Sequence, residues 1–178
     1  GSPNVGKSAL ITALSSGEPQ VATYPFTTKQ LHLGHFIHRR RVYQMVDTPG
    51  LLDRPMEERN QIEMQAIAAL EHLGDVIVFL IDHSGDSTTS VSEQENLLED
   101  IRGLISERQI LVASSKSDLI DPTIDSAELK ISSQTGEGLD DFRNLLIEII
   151  AADEVSDPLS LPENWPRADE WHDLIDNS

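Results

Sequence analysis

Lys7 and Ser8 close the run Gly1-Ser2-Pro3-Asn4-Val5-Gly6-Lys7-Ser8, which matches G-x-x-x-x-G-K-[ST]. In such a loop the backbone N–H groups wrap a nucleotide's phosphates. Gly1 and Gly6 let the backbone approach the ligand where a side chain would block it. The Lys7 ammonium can reach the β- and γ-phosphates, and the Ser8 hydroxyl is a ligand for Mg²⁺. A helix that begins here also sets its positive N-terminus under the phosphates.

Three further groups carry compatible chemistry. Asp47-Thr48-Pro49-Gly50 follows a strand-like run, so the Asp47 carboxylate can hold Mg²⁺ through water and the Gly50 N–H can bond a γ-phosphate. Ser114-Ser115-Lys116-Ser117-Asp118 aligns with N-K-x-D, where the aspartate accepts from guanine N1–H and the 2-amino group together. Adenine has neither donor there, so one carboxylate chooses the base. Ser115 stands where asparagine would contact the ring and brace the phosphate loop, a double task for which serine is short. Ser132-Ser133-Gln134 lies close to S-A-[KL], whose backbone N–H contacts guanine O6.

Between the phosphate loop and Asp47, Tyr24-Pro25-Phe26-Thr27-Thr28 carries two hydroxyls. A threonine there can reach Mg²⁺ and the γ-phosphate and release them after hydrolysis; a plain turn after Pro25 is the other reading. Leu51 follows Gly50 where a glutamine often orients the attacking water. Leucine can do neither part of that work, so turnover would need a displaced residue, a cation or a partner.

These groups need a scaffold of alternating strands and helices. Leu10, Ile11 and Leu14 continue a helix from the loop, and Ser15-Ser16-Gly17 ends it. Gln30 to Ile37 and Val42 to Asp47 read as two strands joined by Arg39-Arg40-Arg41, either a solvated hairpin end or a contact for RNA phosphate. His32 and His38 would share one strand face and His35 the other, which does not favour a metal site. Ile62, Ala66, Ala69, Leu70 and Leu73 form a helical stripe that Gly74 closes. Val76 to Ile81 is a strand buried on both faces. Ser92 with Glu95 reads as a capping box for a helix with Leu97, Leu98, Ile101, Leu104 and Ile105 inward. Gln109 to Ala113 and Leu129 to Ser132 are the remaining strands, and Leu139, Phe142, Leu145, Leu146, Ile149 and Ile150 line a closing helix. The expected fold is a three-layer α/β domain over residues 1–152, its sheet mainly parallel with one antiparallel edge strand. The strand that should feed the phosphate loop is expected to precede Gly1, outside this chain.

Composition narrows the setting. The 178 residues contain no cysteine and are 38% hydrophobic, enough for one domain that buries ~70% of its unfolded surface. The longest apolar run is far short of a membrane span. With no signal peptide visible, the expected location is cytoplasmic. There are 31 acids against 13 basic residues, a net charge of −18. Such self-repulsion calls for screening by salt, which points to a halophile's cytoplasm and argues against a broad nucleic-acid surface. Residues 153–178 carry eight acids, one arginine and both tryptophans. They read as a flexible, solubilising tail, although Trp171, Leu174 and Ile175 have the spacing of a short docking helix.

Together the boxes resemble a translation-factor-class GTPase domain, and Tyr24-Pro25-Phe26-Thr27-Thr28 looks like the Obg-type switch. Gly34-His35-Phe36, Asp47 through Asp53-Arg54-Pro55, Glu57-Glu58-Arg59-Asn60 and Gln65-Ala66-Ile67 are similar to the nucleolar GTP-binding protein family, and an archaeal source suits both that likeness and the acidity. The resemblance implies Mg²⁺-dependent GTP hydrolysis and a role in assembly of the large ribosomal subunit. It implies Lys7, Thr28 and Gly50 as catalytic residues, with Thr28 ahead of Thr27 for the metal. The nucleotide-contacting set becomes Asn4, Val5, Gly6, Lys7, Ser8, Ala9, Ser115, Lys116, Asp118, Ser132, Ser133 and Gln134. Mg²⁺ falls to Ser8, Thr28 and Asp47. In similar GTPases that potassium activates, an asparagine at the place of Asn4 helps hold K⁺ against the phosphates; a simple turn residue is the other reading.

Overall fold

The computed structural model of the protein describes residues 1–23, 30–47, 74–105, 108–120 and 129–156. The expectations for Thr27, Thr28, Gly50, Leu51, the stripe ending at Leu73 and the tail beyond Ser156 lie outside those residues.

Helix α1 (Lys7–Leu14) follows Gly6, whose φ of 95° is the left-handed conformation that glycine adopts freely. Leu10, Ile11 and Leu14 are its buried side, as their spacing predicts. Strands β1 (Gln20–Thr23), β2 (Gln30–His38) and β3 (Arg41–Asp47) form an antiparallel sheet in that order. The β2–β3 pair is the expected hairpin, its register running from His38 opposite Arg41 to His32 opposite Asp47. Arg39 and Arg40 make the turn in the left-handed region. Strand β1 was not legible, because Gln20–Thr23 is too short and mixed to show a period.

The second sheet pairs β4 (Val76–Asp82) with β5 (Gln109–Ser115) in parallel. Helix α2 (Val91–Leu104) crosses between them, and α3 (Leu139–Ser156) closes the described chain. Successive β4 side chains point to opposite faces. Leu80 joins Val5, Leu10, Leu14, Ala113, Ile131, Leu139, Phe142 and Leu146 in one core cluster. Phe79 and Ile81 join Leu97, Leu98, Ile101 and Ile105 in the other. The parallel strands therefore lie between α1 and α3 on one side and α2 on the other, the three-layer α/β arrangement.

Two sequence expectations need correction. The capping box is Ser90 with Glu93, not Ser92 with Glu95: the Glu93 N–H donates to Ser90 Oγ at 3.3 Å and the Ser90 N–H to Glu93 Oε2 at 2.7 Å. Both pairs fit S-x-x-E, and the earlier start brings Gln94 inward, where it is fully buried. Among the described residues, Leu129 to Ser132 makes only one bridge, Lys130 to Ser114, although Ile131 N–H donates to Ser114 O and Ser114 N–H to Leu129 O. The chain turns away at once, because Ser132 is already committed to the following loop.

The two sheets meet α1 closely. A Cβ on Gly34 would collide with the Ser15 hydroxyl and the Ile11 side chain, so β2 can approach α1 only with glycine there. Ser16 N–H donates to His35 O at 2.8 Å and fixes the same junction. Phe36 stacks on Tyr43 with ring centroids 5.0 Å apart, beneath the Arg143 guanidinium of α3.

Candidate functional site

The loop before α1 bends through Asn4 at φ 64° and Gly6 at φ 95°. Val5 is fully buried and anchors it, while Asn4, Ser8 and Ala9 are exposed. Lys7 Nζ donates to Gly1 O at 3.0 Å and Ser2 O at 2.8 Å, so the ammonium lies across the loop. Gly6 provides no side chain to cap the first turn of α1, and that turn contains no acid. Its N–H groups and dipole therefore suit an external anion.

Asp47 ends β3 beside this turn. It is buried, and Ser8 Oγ donates to its Oδ2 at 2.7 Å. His32, its cross-strand partner, places Nδ1 3.9 Å from the same oxygen. Asp47 Oδ1 is buried without a hydrogen-bond partner among the described residues. A buried carboxylate oxygen of that kind is costly unless a cation or donor meets it. Together with the Ser8 hydroxyl it makes a set of hard oxygen donors that fits Mg²⁺. Nothing local in the sequence links His32 to Asp47; only the strand register sets them opposite each other.

The second half of the site gathers at the ends of β4 and β5. Lys116 adopts the left-handed conformation, φ 55° and ψ 42°, and leads into the short 3-10 turn Ser117–Leu119. Ser132 is fully buried and its hydroxyl donates to Asp118 Oδ1 at 2.5 Å. Ser132 Oγ itself accepts from the N–H of Gln134 at 3.2 Å and of Thr135 at 3.1 Å. One serine thus joins the Asp118 loop to the Ser132–Gln134 loop, and Ser117 Oγ adds a bond to Glu137 Oε2 at 2.8 Å. A carboxylate has about four acceptor positions, so Asp118 keeps several for a base. Ser115 is buried and donates to Ile81 O at 3.2 Å, a link to the sheet and not to the loop before α1.

Asp82 and Gln94 went unnoticed as polar partners in the sequence. Asp82 is buried, and Lys116 Nζ stands 2.6 Å from its Oδ2. Burial alone would raise its pKa. The Lys116 ammonium and the Ser84 N–H and O–H outweigh that and hold the carboxyl below its ordinary value. Gln94 receives the Asp82 N–H at 2.8 Å and donates to Asp82 O at 3.1 Å. The only sequence signal was an aspartate flanking an apolar strand. Among the described residues no group of three His, Asp or Glu is arranged to hold a metal, and no helix is long and apolar enough to cross a membrane.

A glycine-bent loop feeding a helix, a buried acid beside it, and paired loops beyond a parallel sheet define a P-loop domain of the G-domain fold. The family model described as nucleolar GTP-binding protein 1 matches residues 61–118. A crystal structure of a Plasmodium falciparum protein described as a nucleolar GTP-binding protein 1 is similar with TM-score 0.75 and 30% identity, over 98% of this chain and 91% of that one. The GDP form of the T. maritima FeoB cytosolic domain is similar with TM-score 0.66 and 25% identity, over 84% of this chain and 60% of that one. Nucleolar GTP-binding protein 1 of Caenorhabditis elegans is 44% identical over 67% of this chain and 18% of its own length. An uncharacterized protein of Methanocaldococcus jannaschii is 48% identical over 68% of this chain and 33% of its own length. The chain belongs to the nucleolar GTP-binding protein 1 family. It spans about a fifth to a third of the length of these curated relatives.

Proposed function

We propose that this domain binds GTP with Mg²⁺ and hydrolyses it slowly to GDP and phosphate, as a cytoplasmic assembly factor for the large ribosomal subunit. The observation that carries the base choice is the Ser132–Asp118 bond of 2.5 Å, which presents one fixed carboxylate to guanine's paired donors. Backbone N–H groups of residues 4–9 hold the phosphates, and Lys7 neutralises charge that develops between the β- and γ-phosphoryl groups. Ser8 and Asp47 would hold Mg²⁺, which when bound would neutralise charge on the nucleotide's phosphate oxygens. Thr28 and Gly50 are assigned to the γ-phosphate. Ser115, Lys116, Ser133 and Gln134 complete the base pocket. The ribosomal role rests on family membership.

A second reading has a specific support. Ser115 is engaged with Ile81 O, so the brace between base loop and phosphate loop that asparagine would provide is lacking, and Leu51 cannot orient water. Such a protein serves as a GTP-gated binding module in which the bound state matters and turnover is incidental. Single-turnover hydrolysis with and without precursor ribosomal particles separates the two. Turnover that proceeds alone or is stimulated by particles supports the enzyme; GTP-dependent particle binding without product formation supports the module.

A further inference from the structure

We propose that Asp82 is a positioning residue for guanosine nucleotides, acting through Lys116 on the loop that carries Asp118. This rests on the GTP-binding reading above and names a residue outside its sequence boxes. Asp82 ends β4, directly opposite Ser115 at the end of β5 in the parallel register. Its side chain is wholly shielded while that of Lys116 is 24% exposed, and their charged atoms are 2.6 Å apart. Lys116 is therefore tied at its tip to the sheet and at its backbone to a left-handed turn. An L-residue adopts that turn at an energetic cost, so the conformation needs an outside hold. Two residues later Asp118 meets Ser132.

The anchor itself is rigid. Asp82 Oδ1 accepts from the Ser84 N–H at 2.8 Å and the Ser84 hydroxyl at 2.5 Å. Gln94, buried in α2, clasps both backbone polar groups of Asp82 and also donates to Thr89 O at 3.2 Å. A buried carboxylate with these donors and a lysine partner stays ionised at neutral pH, and its loss would leave Lys116 without its counter-charge. In an N-K-x-D loop asparagine is the brace. Here Ser115 binds Ile81 O, and the Asp82–Lys116 pair adds a second tie from the loop to the end of β4.

The test is a double-mutant cycle on the chain, reading affinity for a fluorescent GDP, for ATP and for tripolyphosphate, together with melting curves without nucleotide. Asp82→Asn and Lys116→Met are each expected to weaken GDP binding about tenfold or more. The double variant should bind no more weakly than Lys116→Met alone, because Asp82 acts on the nucleotide only through Lys116. Tripolyphosphate, which engages only the phosphate loop, should bind as before, and Lys116→Arg, which can keep the ion pair, should restore most of the affinity. Unchanged GDP affinity in Asp82→Asn, or losses that multiply in the double variant, would overturn the inference. If Asp82→Asn does not fold, the Lys116 pair decides: equal GDP affinity for Lys116→Met and Lys116→Arg overturns it as well. An unmutated protein that prefers GTP over ATP while the variants fail in these ways leaves the guanine reading standing. One that binds GTP no better than ATP overturns both.

Discussion

The Ser8 hydroxyl donates to Asp47 Oδ2 across 2.7 Å and so joins the first turn of α1 to the last residue of β3, thirty-nine positions away. This contact brings two of the three expected Mg²⁺ ligands together, with Asp47 Oδ1 unpartnered beside them among the described residues. Addition of Mg²⁺ should tighten GTP binding, and EDTA should reverse it. Ser8→Ala and Asp47→Asn should each lose most of that response. Ser8→Ala should also cost roughly 1–3 kcal/mol in urea unfolding, because a buried acceptor loses its donor. Equal GTP affinity with and without Mg²⁺ in the unmutated protein would remove both residues from this role.

The base reading makes a separate demand on Asp118. Asp118→Asn replaces an acceptor by a group that also donates, which suits the 2-oxo group of xanthine. Affinity should move from GTP towards XTP, with ATP weak throughout. Competition binding measures this, and a variant that keeps its GTP preference would show that the carboxylate does not choose the base.

Asn4 is exposed and left-handed at φ 64°, a conformation asparagine tolerates better than most residues. That geometry accounts for a turn residue and also leaves the side-chain carbonyl accessible to a monovalent cation. If K⁺ is held there, hydrolysis should be faster in KCl than in NaCl at equal ionic strength, and Asn4→Ala should remove the difference. A cation placed like an arginine finger can contribute on the order of 10³ in rate. The same turnover in both salts, or a full potassium effect in Asn4→Ala, reduces Asn4 to its turn.

Asp82 should leave a mark on acid stability. Its folded-state pKa is held below the ordinary 3.8, since Lys116 and Ser84 outweigh burial. Between the folded and unfolded values the unfolded chain binds more protons, so stability rises with pH there. The contribution is complete above the unfolded value and is lost as pH falls through the folded one. Asp82→Asn should therefore lower stability at neutral pH and flatten its decline below pH 3.8. Urea titrations at several acidic pH values measure the slope, and an equally steep decline in the variant would contradict the assignment.

Charge sets the last expectation. With a net −18, repulsion should leave the domain marginal in dilute buffer. At ~1 M salt the Debye length falls to about 3 Å, and the melting midpoint should rise accordingly. A midpoint indifferent to KCl between these limits would show that the repulsion is already balanced within the fold.

The local grammar of the chain determined a good part of this molecule. Gly6-Lys7-Ser8 set the loop and the start of α1, apolar runs set β4 and β5, and the spacing of Leu97, Leu98 and Ile101 set the buried side of α2. These signals are legible because one short stretch of backbone decides a glycine turn, a period of two or a helical stripe. Where two S-x-x-E patterns overlapped, packing chose Ser90, since that start buries Gln94 against Asp82. Only the tertiary structure paired Asp82 with Lys116, His32 with Asp47 and Ser132 with Asp118. Each of these pairs joins residues 14 or more positions apart, and each depends on strand register or on a turn closing between loops. A polar residue's sequence neighbours do not reveal which distant charge will share its burial, and that partner decides whether it is a solvated surface group or part of a site.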